Sequence, residues 1–417
     1  MAVSFESARD MILECVAVLP HEAVSLLDVV GRVLAENIRA PWDMPRWDNS
    51  AMDGFAVRAE DCVSGQPLTV DGYLPAGSSA SGVTVRPGTA ARIMTGAPAP
   101  VGCDAIVPIE ETEEVEGKII INGEVRKGDH LRVRGEDVQQ QELVIAAGTI
   151  LRPAEINMLA SFGYQTVSVF RRPKVAILST GDELVEPGEE IGPGQIINSN
   201  DYSLAAAVRE IGGVPLLLGI ARDDRESLAE KITEGLIADV LITTAGVSMG
   251  DLDLVCEVLQ SLGVERQFWK VDIKPGRPTA FGLKNGKPVF SLPGNPVSSM
   301  ITFEEFVRPA LLKMLGHQRV IKPFVKATMK ESVKKKPGRV QFLRVRVVDD
   351  GEKLFATSSG DQNTGILRTL LRANGIAVLP ADQEQVHAGE DVNVHLIAAV
   401  ENFDSALART ASGLSQS

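Results

Sequence analysis

A glycine beside paired acids at the end of an apolar run can hold a divalent cation or steer a phosphate. This chain has that pattern at Gly181, Asp182 and Glu183, directly after the run KVAILST. The same residues would equally make a turn followed by helix-capping carboxylates. A second acidic loop, Arg222–Asp223–Asp224, follows the run VPLLLGIA and has the composition of a helix cap. A third, TTAGVSMGDLD, places Gly246 and Gly250 around a loop entering a helix, with Asp251 and Asp253 in that helix's first turn. Backbone amides in such a loop can cradle an oxyanion, and the Ser248 hydroxyl adds a donor. No lysine follows Gly250, so this is neither a Walker loop nor a dinucleotide fingerprint. The fourth, LPGNPVSS, offers Asn295 as a cap for a helix starting at Pro296, where a missing amide proton costs nothing. Between the third and fourth lies WKVDIKPGRP, whose Lys270, Lys274 and Arg277 form a local positive cluster. Cations and paired acids together fit an anionic, phosphate-bearing ligand handled with a divalent metal.

Those loops need a scaffold that brings them to one edge. From 172 to 316 the chain alternates strand, loop and helix, as expected of a parallel sheet covered by helices. Ligands then gather at the carboxyl ends of the strands. Residues 41–148 are rich in Gly, Pro, Val and Thr in short runs, including GKIIINGEV with an Asn-Gly turn, and read as β structure. Residues 4–40 show helical spacing and read as two amphipathic helices, the second over 23–35. Five further strands are expected beyond Lys322, and the small polar residues after Phe403 read as a disordered tail.

The 417 residues carry 42 basic and 55 acidic side chains, a net charge of −13. Such a chain is a poor nucleic-acid binder and a poor binder of anionic membranes. The N-terminal segment lacks the basic and apolar regions of a secretory signal, and no run is long enough to span a membrane, so a cytoplasmic location is expected. Cys15, Cys62, Cys103 and Cys256 stand far apart and read as buried reduced thiols rather than a zinc site. None of the five histidines or four cysteines falls in the candidate loops, which leaves electrostatic and metal-assisted chemistry.

PRWDNSAMDGFAV, RIMTGAP, RGEDV, STGDEL, AGVSMGD, IKPGRP and LPGNPVS occur in an order and spacing that resemble the molybdopterin molybdenumtransferase family, which includes bacterial MoeA and the C-terminal domain of gephyrin. The resemblance runs from residue 1 to about 400. It implies a multidomain α/β and β protein: an N-terminal domain over 1–45 and 141–171, an inserted β domain over 46–140, a doubly wound α/β molybdopterin-binding domain over 172–322, and a small β barrel over 323–402 before a tail. It implies a homodimer that takes adenylated molybdopterin and molybdate to molybdenum cofactor and AMP, assisted by Mg2+ or a similar divalent cation. It admits the molybdopterin adenylyltransferase as a further partner.

By the same resemblance Glu183, Asp223, Asp253, Lys270 and Lys274 are catalytic, joined by Asp53 and Thr95 from the partner subunit. Ser248, Gly246, Gly250, Arg277, Pro293, Asn295 and Pro296 bind substrate, and Asp182, Glu183 and Asp253 are the metal ligands. Asp137 matches a motif acid, and Arg344 and Thr364 are weaker matches in the C-terminal part. Ala245 stands where a second glycine is common, Phe55 where tyrosine is frequent, and Arg277 where lysine is usual. Two rival functions share parts of the pattern, an adenylyltransferase-like enzyme and a gephyrin-like scaffold.

Overall fold

The computed structural model describes residues 2–245 and 252–402. The chain divides into two compact units, one comprising Ser25–Asp28 and Glu36–Val167, the other the rest of the described chain.

Helix α1 (Phe5–Cys15) starts where the Ser4 hydroxyl accepts the Ser7 amide at 3.1 Å. Phe5, Ala8 and Ile12, spaced for one face, are buried, and the Phe5 ring packs on Phe306 and Phe342. The second expected helix does not form. His21–Ser25 is a strand and Leu26–Asp28 a single 3-10 turn. The segment is rich in β-branched valines, and Gly31 adopts φ 76, which a helix cannot continue through. Residues 33–35 instead run beside 168–170, with Leu34 bridged to Val169.

The unit around 36–167 is built on a six-stranded sheet of β1 (Gly54–Val57), β2 (Leu68–Leu74), β3 (Thr89–Ile93), β4 (Ala105–Pro108), β5 (Thr112–Val115) and β6 (Lys118–Ile121), ordered β4-β1-β3-β2-β6-β5. Alternate residues feed two apolar clusters, Phe55 and Val57 into one and Ala56 into the other. The tight hairpin turn falls on Glu116–Gly117, both at positive φ, and not on Asn122–Gly123. The register pairing Val115 with Lys118 leaves only those two residues between the strands. Helix α2 (Pro153–Ser161) carries Pro153 in its first turn, where a missing amide proton costs nothing.

The other unit centres on β7 (Lys174–Thr180), α3 (Asn200–Ile211), β8 (Val214–Ala221), α4 (Arg225–Gly235), β9 (Val240–Thr244), α5 (Leu252–Ser261), β10 (Glu265–Phe268), β11 (Ala280–Lys284), β12 (Lys287–Leu292), α6 (Pro296–Thr302) and α7 (Arg308–Met314). The strand order is β8-β7-β9-β12-β11-β10. The first four are parallel, and β11 and β10 add two antiparallel strands that the alternating pattern does not predict. Val175, Ile177, Val240, Ile242 and Phe290 pack with α1, α3, α6 and α7 on one face, and Ala176, Leu178, Leu241 and Val289 with α4 and α5 on the other. Burial on both faces is why these strands read as unbroken apolar runs. Gly212, at φ 97, closes α3.

After this sheet, β13 (Phe324–Met329), β14 (Val340–Asp349), β15 (Leu354–Ser358), β16 (Gly375–Leu379) and β17 (Asp391–Leu396) close into a barrel in the order β14-β15-β13-β17-β16-β14. Closure leaves these strands no free edge. The four cysteines are half-buried thiols without disulfides. No described helix is long and apolar enough to cross a membrane.

Candidate functional site

Because β7, β8, β9 and β12 run parallel, their carboxyl ends and following loops share one edge of the sheet. The first two loops are interlocked. The Thr180 hydroxyl donates to Asp223 Oδ1 at 2.9 Å, and the backbone amides of Asp182 and Asp223 each approach the other's carboxylate at 3.4 Å. Asp224 caps α4 by accepting the Ser227 amide at 2.8 Å, which leaves Asp223 to face the first loop. The Glu183 carboxylate folds back over Gly181, where a Cβ would lie 2.4 Å from Oε2. With φ 147 as well, only glycine fits there. Asp182, Glu183 and Asp223 are exposed; Arg222 donates to the Asp182 carbonyl at 3.4 Å, and among the described residues no Lys or Arg forms an ion pair with the three carboxylates. Carboxylates that form no ion pair are donors of the kind that a hard divalent cation takes. The described residues alone complete no group of three such ligands.

The fourth loop forms as its sequence dictates, with Asn295 Oδ1 accepting the Ser298 amide at 3.2 Å and Pro296 in the first turn of α6. A Cβ on Gly294 would sit 2.8 Å from that of Ala245, so the third and fourth loops meet here without a gap. The basic segment arrives beside them. Lys274–Pro275 is a cis peptide, and a Cβ on Gly276 would come within 2.4 Å of the Thr302 methyl, so this turn lies flat on α6. Ile273 and Lys274 also pair with Val340 and Gln341, which ties the turn to the barrel. Lys274 and Arg277 are exposed, Arg277 lying 3.9 Å from Asp272, and Lys270 is half-buried. Pro293 is buried beneath the loop.

Sequence reasoning missed the cluster under this edge. Ser179 Oγ lies 2.6 Å from Asp201 Oδ1, 2.8 Å from Thr244 Oγ1 and 3.1 Å from Asn198 Oδ1. All four residues are buried. One serine proton cannot serve three oxygens, so the cluster needs a second proton from Thr244 or from Asp201 itself. Burial pushes the Asp201 carboxyl up to about 6, against the hydrogen bond from Ser179 that lowers it. A raised carboxyl favours the protonated fold, so its contribution is full at low pH and fades as pH rises from about 4 to about 6. Urea unfolding of the Asp201→Asn variant is therefore expected to lose a pH-dependent component of up to about 3 kcal/mol over that window. Parallel curves for variant and parent between pH 4 and 7 would refute it. The only sequence signal was a run of polar residues, NSND, beside a strand end.

Comparison with known proteins bears on all of this. Residues 3–163 match the MoeA N-terminal region (domain I and II), residues 176–313 the probable molybdopterin binding domain, and residues 326–397 the MoeA C-terminal region (domain IV). The molybdopterin molybdenumtransferase of Nostoc sp. is 37% identical over 385 residues, 89% of this chain and 88% of that protein. Molybdopterin molybdenumtransferase 2 of Mycobacterium tuberculosis is 38% identical over 384 residues, 89% of this chain and 94% of that protein. The crystal structure of a molybdopterin biosynthesis MoeA protein from Pyrococcus horikoshii superimposes with a TM-score of 0.85 at 34% identity, covering 96% of this chain and all of that one. The chain belongs to the molybdopterin molybdenumtransferase family.

Within this member of the family, several resemblance-based assignments can be placed. Asp53 and Thr95 meet in the 36–167 unit, where the Thr95 amide and hydroxyl both donate to Asp53 Oδ1 at 2.7 Å. That amide first, then the hydroxyl, holds the Asp53 carboxyl below its usual range. Ala245 adopts φ 70, a left-handed conformation that glycine would take without strain. Asp137 donates its backbone amide to Met44 O. Arg344 is fully buried and donates to the carbonyls of Asp361 and Asn363, so it braces a loop of the barrel. Gly246, Ser248 and Gly250 lie outside the described residues, as does the Asp253 side chain, although its backbone opens α5.

Proposed function

We propose that this chain is a molybdopterin molybdenumtransferase that inserts molybdate into adenylated molybdopterin and releases AMP. The observation that carries the reading is the unbroken set of contacts along one sheet edge. Asp223 meets Asp182, Ser179 meets Thr244, Ala245 meets Gly294, and Gly276 meets α6. These contacts link five loops, of which the first two carry acids and the basic turn carries cations, in a chain of this family.

The basic turn suits the anionic groups. Lys274 and Arg277 are exposed beside α6, and with Lys270 they would hold the pterin phosphate and the incoming oxyanion. Pro293, Asn295 and Pro296 fix the opposing loop, while Gly246, Ser248 and Gly250 would add amide and hydroxyl donors. Asp182, Glu183, Asp223 and Asp253 would hold Mg2+ or a similar cation, which when bound supplies charge neutralisation for the phosphates. A second copy of the chain would supply Asp53 and Thr95, whose mutual hydrogen bonds keep that carboxylate ionised and oriented. The reading entails a cytoplasmic homodimer that receives its substrate from an adenylyltransferase.

AMP release from adenylated molybdopterin is expected to require molybdate, and to be absent with ATP and unmodified molybdopterin. AMP formation without molybdate would overturn the reading. Adenylation of molybdopterin by ATP would support the adenylyltransferase alternative. Disappearance of AMP release on simple chelation, restored by Mg2+, tests the cation.

A further inference from the structure

We infer that Asn200 and Asp201, in the segment 196–201, are positioning residues: they hold three site loops at fixed separation and so set the affinity for the anionic substrate more than the rate of its conversion. The inference rests on the transfer reading above and adds residues that the motifs do not single out.

The segment touches each loop by a different bond. Ile196 and Ile197 pair with Leu184 and Val185, and the Ile196 amide donates to the Glu183 carbonyl at 2.8 Å, which fixes the backbone carrying the Glu183 carboxylate. Asp201 accepts from Ser179, whose hydroxyl also reaches Thr244, the last residue of β9 before Ala245. Asn200 Nδ2 donates to the Gly294 carbonyl at 2.8 Å, one residue before the Asn295 cap. Gly294 in turn lies against Ala245, so the three loops form a closed circuit with this segment at its centre. Asn198, Asn200 and Asp201 are at most 8% exposed. Asn198 Nδ2 and Asn200 Oδ1 are buried with no hydrogen-bond partner among the described residues. Buried polar groups that leave donors and acceptors unmet cost stability that apolar residues would not. Their presence at the junction of the loops therefore points to geometry rather than to stability. Displacing a binding group by about 1 Å can cost orders of magnitude in productive binding.

The test is Asn200→Asp, nearly isosteric but unable to donate to Gly294, with Asn200→Ala as a second variant and urea unfolding as a check that each folds. The KM for adenylated molybdopterin is expected to rise about tenfold, with kcat within about threefold of the parent. Hydrogen exchange over residues 293–299 should quicken while strand 340–349 is unchanged. Faster exchange with unchanged KM would overturn the inference, since the bond would then be merely structural. A fall in kcat at constant KM would overturn it equally. Absence of turnover by the parent enzyme would sink the transfer reading by itself. In that event equilibrium binding of adenylated molybdopterin, followed by pterin fluorescence, decides, and equal dissociation constants for parent and variant would overturn the positioning role.

Discussion

Glu183→Gln is expected to lower molybdate-dependent AMP release about 10²–10³-fold, with urea unfolding shifted by no more than about 0.5 kcal/mol. The two numbers diverge because of where the side chain sits. Its carboxylate is exposed and makes no ion pair among the described residues, so the fold gains little from its charge. Its backbone is nevertheless fixed by the Ile196 amide and its carboxylate is folded over Gly181, so the charge is held at one place on the rim. A charge held in position without a structural partner is what binding or transition-state stabilisation requires. Glutamine keeps the shape and removes the charge, so activity alone should respond. Near-parental turnover in both Glu183→Gln and Asp253→Asn would move the site elsewhere.

Gly54→Ala is expected to act in the opposite sense, through the fold. A Cβ at Gly54 would lie 2.0 Å from the Val107 carbonyl oxygen, a backbone atom paired across β1 and β4 that cannot rotate away. The ladder must shift or open, at a cost of about 3 kcal/mol. Asp53 immediately precedes this point; its carbonyl accepts the Ile109 amide at 3.0 Å and its carboxylate accepts from Thr95. A displaced β1 therefore also misplaces the Asp53–Thr95 pair. Gly31→Ala is the control. A Cβ there meets nothing within 4 Å and the penalty is only that of φ 76, about 1 kcal/mol. Urea unfolding should separate the two variants by about 2 kcal/mol, and equal stabilities would refute the steric argument.

Much of this protein is legible one residue at a time. The caps at Ser4, Asp224 and Asn295 and the left-handed stop at Gly212 depend on local hydrogen bonds and dihedrals, and each is where its residue type predicts. The strands β7, β8, β9 and β12 are apolar throughout because both faces are covered, and that too is written locally.

Local rules fail where a segment's partner lies far along the chain. Residues 23–35 have helical spacing, yet β-branched valines and the contact of Leu34 with Val169 take the segment out of the helix. The antiparallel strands β10 and β11 arise only because β12 offers them an edge. Arg344 reads as a binding cation until the closed barrel buries it.

The sequence by itself determined the caps, the apolar strands and the identity of the charged loops, since each follows from interactions within a few residues. Only the tertiary structure decided that Ser179, Asn198, Asp201 and Thr244 meet beneath the rim, and that Asn200 ties Gly294 to it. Those bonds join residues from 19 to 94 positions apart, and no periodicity or short motif encodes a contact that exists only once the sheet has brought its strand ends together.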